Sequence, residues 1–414
     1  MVLFMQKKSN FNKFLLLWFG ELISSVGGGL TSFGLSVYIF NITGSAANMA
    51  LVMLLSSLPI LILGMPAGVL ADRYDRRNLM MIGDGLSAIG VIYILICMIN
   101  GGATLLQICI GILISSVFSS LLEPSYKATI TDLLSTEEYS KASGMVGIAG
   151  GARYLVSPLI AGFLLSVSDI KLLLIIDICT FILTVLTTRV VKNNIKSKKS
   201  IRKEGFLKEF RTGWKVITSK KGLIYVLIIS SLVTFFIGTF QILAEPLVLD
   251  FSTSKILGIG ETICASGMIF SGIYLGVKGI KKGYVKILSR ALLLAGFGMM
   301  IVGLKEDIYL ICIAGFFFFF MLPFVNNCLD YLVRINVLEE YQGSAWSIIS
   351  FVSQAGYVIA YAISGLLADK FSLITGNSIG RSSGAIISIA GIMLLLTGII
   401  IYYIKPIKEL EKIR

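Results

Sequence analysis

The chain has 414 residues, 56% of them hydrophobic and 14% charged, with a formal net charge of +13 and a mean hydropathy of +0.89. A soluble domain carries about 25% charged residues, so a water-soluble globule is excluded and an all-α integral membrane protein is expected. The basic excess would suit nucleic acid in a soluble chain, but here it falls in short segments between apolar runs, which argues against that partner.

Apolar runs of bilayer-crossing length, about 20 residues each, recur along the chain. Twelve transmembrane helices are expected near 14–40, 47–70, 78–99, 104–126, 139–166, 171–191, 222–249, 257–277, 287–304, 308–333, 342–367 and 382–404. The opening MVLFMQKKSNFNKF is basic and lacks a small-residue cleavage pattern, so it reads as the start of an uncleaved first helix. Lys and Arg gather at the N-terminus, at 73–77, at 192–221, at 278–290 and at 405–414. With twelve spans these all lie on one side, and the other side keeps only Lys171, Lys255, Lys305, Lys370 and Arg381. The positive-inside rule then places both termini and the long central segment in the cytoplasm. Part of the basic excess is expected to meet anionic lipid headgroups.

The first span carries Glu21 in WFGELISSVGGGL. The second runs into GVLADRYDRR at 68–77, a charged turn between two apolar runs, in which Gly68 and Ala71 would let helices approach closely. Asp72 there can take a neighbouring arginine or a helix N-terminus as partner. This segment resembles the loop signature of the major facilitator superfamily, G-x-L-a-D-r-x-g-R-[RK], at the place where that family has it. Asp75 stands where the family usually has glycine.

The resemblance implies a secondary transporter of two pseudo-symmetric six-helix bundles. Gly68, Asp72, Arg73, Arg76, Arg77 and Asp84 would then form a conformational latch. Within the family, the first half resembles the drug:proton antiporter branch that includes macrolide-efflux proteins and enterobactin exporters. Ser157, Pro158 and Gly162 in span five are a degenerate form of its G-P-x-x-G-G motif, preceded by Gly147, Gly150 and Gly151. Small residues at this density allow close helix packing, and Pro158 removes a backbone donor and bends the helix. That branch usually has an arginine in span four. Here residues 110–120 read IGILISSVFSS, with Ser115 and Ser116 near the expected place, and Arg153 in span five is the candidate to supply the charge.

Residues 192–221 are the only long polar stretch and divide the chain into an N-terminal bundle (1–191), a cytoplasmic linker (192–221) and a C-terminal bundle (222–414). Phe206, Phe210, Trp214 and Ile217 have helical spacing with basic residues between them, which suits an amphipathic surface helix, whereas 192–204 reads equally as plain linker. The halves echo each other: Glu137-Glu138-Tyr139 precedes span five and Glu339-Glu340-Tyr341 precedes span eleven, while Gly68-Val69 and Gly276-Val277 end spans two and eight. Parallel repeats of this kind relate the two halves of major facilitator proteins. Gly365 to Lys370, GLLADK, imitates the loop signature but follows span eleven, where it faces outside and reads as coincidence.

An ionisable residue at bilayer depth is costly unless paired or hydrated. Glu21, Asp84, Glu123, Arg153, Asp177, Glu245 and Asp330 fall inside expected spans. Glu21, Arg153, Asp177, Glu245, Asp330, Asn326 and Asn327 are therefore the candidates for proton coupling or cavity lining. Arg153 needs a carboxylate partner, Asp177 or Asp84. Glu245 precedes Pro246 late in span seven, a bend suited to a gate or an outer rim. The run GFFFFF at 315–320 offers either an aromatic pocket or packing surface.

With no histidine, and six cysteines all in apolar runs without C-x-x-C spacing, no metal site, disulfide or cofactor is expected. No nucleotide-binding glycine loop or nucleophile–base pair is present, so no enzyme activity is expected. The expected protein is a monomer in a bacterial cytoplasmic membrane that exports a small amphipathic substrate against protons or Na⁺. Its alternative is a lipid or lysolipid flippase on the same scaffold.

Overall fold

A computed structural model describes residues 10–135, 138–192 and 206–412. The basic first nine residues, Glu137 and most of the linker therefore lie outside the described residues. Among the described residues there are sixteen α-helices and no strands, and twelve segments are long and apolar enough to cross a membrane. The short, glycine-interrupted stretches expected near 257 and 287 are both helices, Ser254–Lys278 and Tyr284–Val302. The chain forms two compact units, one of residues 1–38 and 55–203 and the other of residues 39–54 and 204–414.

In the first unit α1 (Phe11–Thr43) and α2 (Ala46–Arg73) precede α3 (Arg76–Ile99). Asp75, the departure from the family pattern, is the N-cap of α3, its side chain accepting from the Arg77 amide at 3.0 Å. Spans four and five are each broken. α4 (Leu105–Ser119) and α5 (Leu122–Leu133) meet at Ser120–Leu121, and α6 (Tyr139–Leu155) and α7 (Ser157–Val167) meet at Val156, with Pro158 in the first turn of α7. Proline tolerates that position because the amide it lacks has no intrahelical partner there.

α8 (Ile170–Lys192) packs along α1. Gly20, Gly27 and Gly34 recur every seven residues on α1 and face Thr187, Thr180 and Leu173, which recur every seven residues on α8. A Cβ at Gly27 would sit 2.9 Å from the Asp177 carboxylate, so this seam depends on glycine. Gly68, Gly147, Gly150 and Gly151 are different: a Cβ on any of them would meet nothing within 4 Å. The close approach expected at those glycines is not made among the described residues.

The second unit contains α9 (Phe206–Ser219), α10 (Lys221–Leu249), α11 (Ser254–Lys278), α12 (Tyr284–Val302), α13 (Ile308–Asn336), α14 (Glu339–Thr375), α15 (Ile379–Tyr403) and α16 (Lys405–Lys412). α9 lays its apolar side on α14: Ile217 is buried, and Phe210 meets Phe351 edge-on at 6.0 Å between ring centroids. Trp214 stays exposed. α16 is stitched beneath α12 and α13. Its Glu411 carboxylate accepts from the Tyr284 amide (2.9 Å) and its Leu410 carbonyl accepts from Asn336 Nδ2 (2.9 Å). Glu411 thus does for α12 what Asp75 does for α3.

Candidate functional site

The 68–77 segment builds a charged knot within the first unit. Arg76 and Arg77 are buried, which requires partners. Asp132 on α5 supplies them, at 2.7 Å from Arg76 and 3.5 Å from Arg77. Arg76 also donates to the carbonyls of Ala71 (3.2 Å) and Ala128 (3.1 Å) and lies 3.9 Å from Asp72. The end of α2, the start of α3 and the end of α5 are therefore one electrostatic body, while Arg73 remains exposed. Asp132 was not among the residues expected from sequence, because only the fold brings α5 to the turn.

Deeper in the same unit, Asp84 and Asp177 are buried on α3 and α8, and Glu21 on α1 is half-buried. Asp177 accepts from the Thr31 hydroxyl at 2.6 Å and from the Thr180 hydroxyl at 3.4 Å. Arg153 is exposed and reaches Asp177 only through its field. No direct ion pair between Arg153 and Asp177 is formed, and the carboxylate takes hydrogen bonds from the two threonines instead. Ser116 donates to the Leu55 carbonyl (2.9 Å), and Ser87 pairs with Ser119 (2.9 Å), so the serines of α4 serve helix packing. Ser157 does likewise, donating to the Val26 carbonyl at 3.0 Å, and Pro158 and Gly162 are buried beside it. Glu123 is exposed and paired with Lys127 one turn on.

In the second unit a cavity of about 160 Å³ opens among α10, α13 and α14. Asn326 and Asp330 come to it from α13, Ser230 and Thr234 from α10, and Trp346 and Tyr357 from α14. Asn327 follows on α13 but is not part of the wall. None of the five phenylalanines lines it either. Phe318 is fully buried and stacks on Phe240 at 5.1 Å, so that ring serves packing, whereas Phe317 is exposed. Glu245 is buried on α10 one residue before Pro246, away from the cavity wall. Sequence reasoning passed over Glu261, half-buried on α11 inside the eighth span, although a lone acid in an apolar run was the available signal.

The sequence profile of the Major Facilitator Superfamily matches residues 17–337. The chain belongs to that superfamily. Its members are transporters, so the protein is a multi-pass membrane transporter and not an enzyme. Over 381 residues it is 24% identical to macrolide efflux protein A of Streptococcus pyogenes, covering 89% of this chain and 93% of that protein. To the enterobactin exporter EntS of Shigella flexneri it is 27% identical over 157 residues, 38% of each chain. Its fold matches a crystal structure of a mutant nucleoside transporter NupG with a TM-score of 0.76 at 15% identity, covering 94% of this chain and all of that one. Efflux is thus the activity named among its superfamily relatives.

Proposed function

We propose that this transporter exports an amphipathic compound carrying a basic nitrogen, driven by inward proton flow through alternating access. Near-full-length similarity to macrolide efflux protein A carries the reading. The wall of the second unit's cavity supports the basic nitrogen. Asp330 brings a carboxylate to this wall in a chain whose net charge is +13, and Trp346 and Tyr357 are aromatic residues of the same wall. A carboxylate and aromatic side chains lining one cavity suit a cation, which gains about 0.5–2 kcal/mol from each ring that faces it. Asn326, Ser230, Thr234 and Ser353 leave hydrogen-bonding capacity for the polar parts of such a ligand.

With no histidine in the chain, coupling falls to carboxylates, and we assign it to the group Glu21, Asp84 and Asp177 of the first unit. Among them we take Glu21, on the first span, as the residue that exchanges the proton. Protonation would change its repulsion with Asp84 and shift the balance between states. The topology that fits is both termini in the cytoplasm of a bacterial cell, with the protein acting as a monomer. The lipid-flippase alternative draws no support from the relatives.

Uptake of a fluorescent amphipathic amine into inverted vesicles, energised by a pH gradient, tests the reading. Wild-type protein is expected to accumulate the dye and Glu21→Gln is not. Equal accumulation by Glu21→Gln removes Glu21 from coupling.

A further inference from the structure

The GLLADK segment, residues 365–370 late in α14, has a task in the fold. Asp369 seats its carboxylate on the first turn of α2: Oδ2 accepts from the Ser45 hydroxyl at 2.5 Å and the Ala47 amide at 3.2 Å, and Oδ1 from the Ala46 amide at 3.0 Å. One turn earlier, a Cβ on Gly365 would lie 2.6 Å from the Ala50 Cβ and 2.8 Å from the Ala47 Cα, so only glycine lets α2 come this near. Ala46, Ala50 and Ala368 are all buried in this contact. Free amides and the positive end of the helix dipole make a helix start a favourable seat for a carboxylate.

We infer that Asp369 is a second conformational latch, holding α2 by its N-terminus while the segment carrying Asp72 acts at the C-terminus of the same helix. The two segments share one pattern at one spacing: Gly68, Leu70, Ala71, Asp72, Arg73 and Gly365, Leu367, Ala368, Asp369, Lys370. α2 is also divided, its residues to Leu54 belonging to the second unit and those from Leu55 to the first. A carboxylate that grips the first part of such a helix is placed to hold or release it as the units change state. Two latches at opposite ends of one helix favour opposite states, so weakening one raises occupancy of the other. Asp369 is a positioning residue and does not contact substrate.

This inference rests on the alternating-access reading, and hydrogen exchange on the full-length protein in nanodiscs separates the two without any substrate. Asp369→Asn is expected to speed amide exchange across 45–50 by about tenfold, the scale set by losing charge-assisted hydrogen bonds. It is also expected to slow exchange across 71–80 by severalfold as the other latch fills. Asp307→Asn, which uncaps α13 by the same chemistry at the Tyr309 and Leu310 amides, should change exchange only around 308–312. If Asp369→Asn changes 45–50 alone, Asp369 is an ordinary helix cap and the latch is overturned. Should that variant misfold, Ser45→Ala removes one of three donors and is expected to shift both segments less, in the same directions; no shift at 71–80 again overturns it. Reciprocal exchange in a protein that moves no amphipathic amine supports the latch while refuting the export reading.

Discussion

Asp132 pairs with both buried arginines of the signature turn, at 2.7 Å from Arg76 and 3.5 Å from Arg77. Removing one partner of a buried pair leaves the other charge uncompensated, at a cost of about 3–5 kcal/mol. Asp132→Asn is therefore expected to lower the unfolding temperature in detergent clearly. Asp72→Asn is expected to cut transport, and wild-type transport by that variant would contradict its role in the latch. An unfolding temperature left unchanged by Asp132→Asn would contradict its role as the partner of Arg76. The turn itself was legible in the sequence from charge between apolar runs. Asp132 was not, since nothing local marks an acid at the end of a broken fourth span as the partner of a turn more than fifty residues earlier. Arg153 marks the opposite limit: a mid-span charge pointed to a carboxylate, yet its side chain is exposed and the hydrogen bonds at Asp177 come from threonines of α1 and α8.

The seam between α1 and α8 is held by glycines at seven-residue spacing, and neighbouring glycines on α1 differ in what they do. Gly27→Ala should destabilise the protein, because its Cβ would press on Thr180 and on Asp177. Gly28→Ala has open space and should be neutral or stabilising by up to about 1 kcal/mol, from helix propensity. Thermal unfolding of the two variants checks the contrast, and equal effects would refute it. At this scale hydropathy alone found all twelve spans, including the two weakest. It did not find the breaks in spans four and five, which leave the apolar run intact. The alternation that marked α9 as amphipathic was real, but its partner is α14 as well as whatever meets Trp214. α16 lay hidden in a short charged tail. Deleting residues 405–414 should strip the cap from α12, worth about 1 kcal/mol, and lower the unfolding temperature by about one degree or more.

For the whole molecule, twelve spans, the charge asymmetry and one loop signature were enough to read the superfamily from sequence. Internal likeness added the division near 192–221. What the sequence withheld was the pairing of distant segments: Asp369 with the start of α2, Glu411 with the start of α12, and the meeting of Asp330, Trp346 and Tyr357 around one cavity. Each joins residues whose local surroundings are unremarkable. The central claim, gradient-driven export of a basic amphipathic compound recognised at Asp330, is tested most directly in proteoliposomes with an imposed pH gradient. A tertiary-amine macrolide and its uncharged analogue would be compared in wild type and Asp330→Asn. The account predicts gradient-dependent transport of the amine, a preference for it over the neutral analogue, and a rise in KM of about tenfold for the amine alone in the variant. Gradient-independent movement, or an Asp330→Asn protein that still prefers the amine, would contradict it.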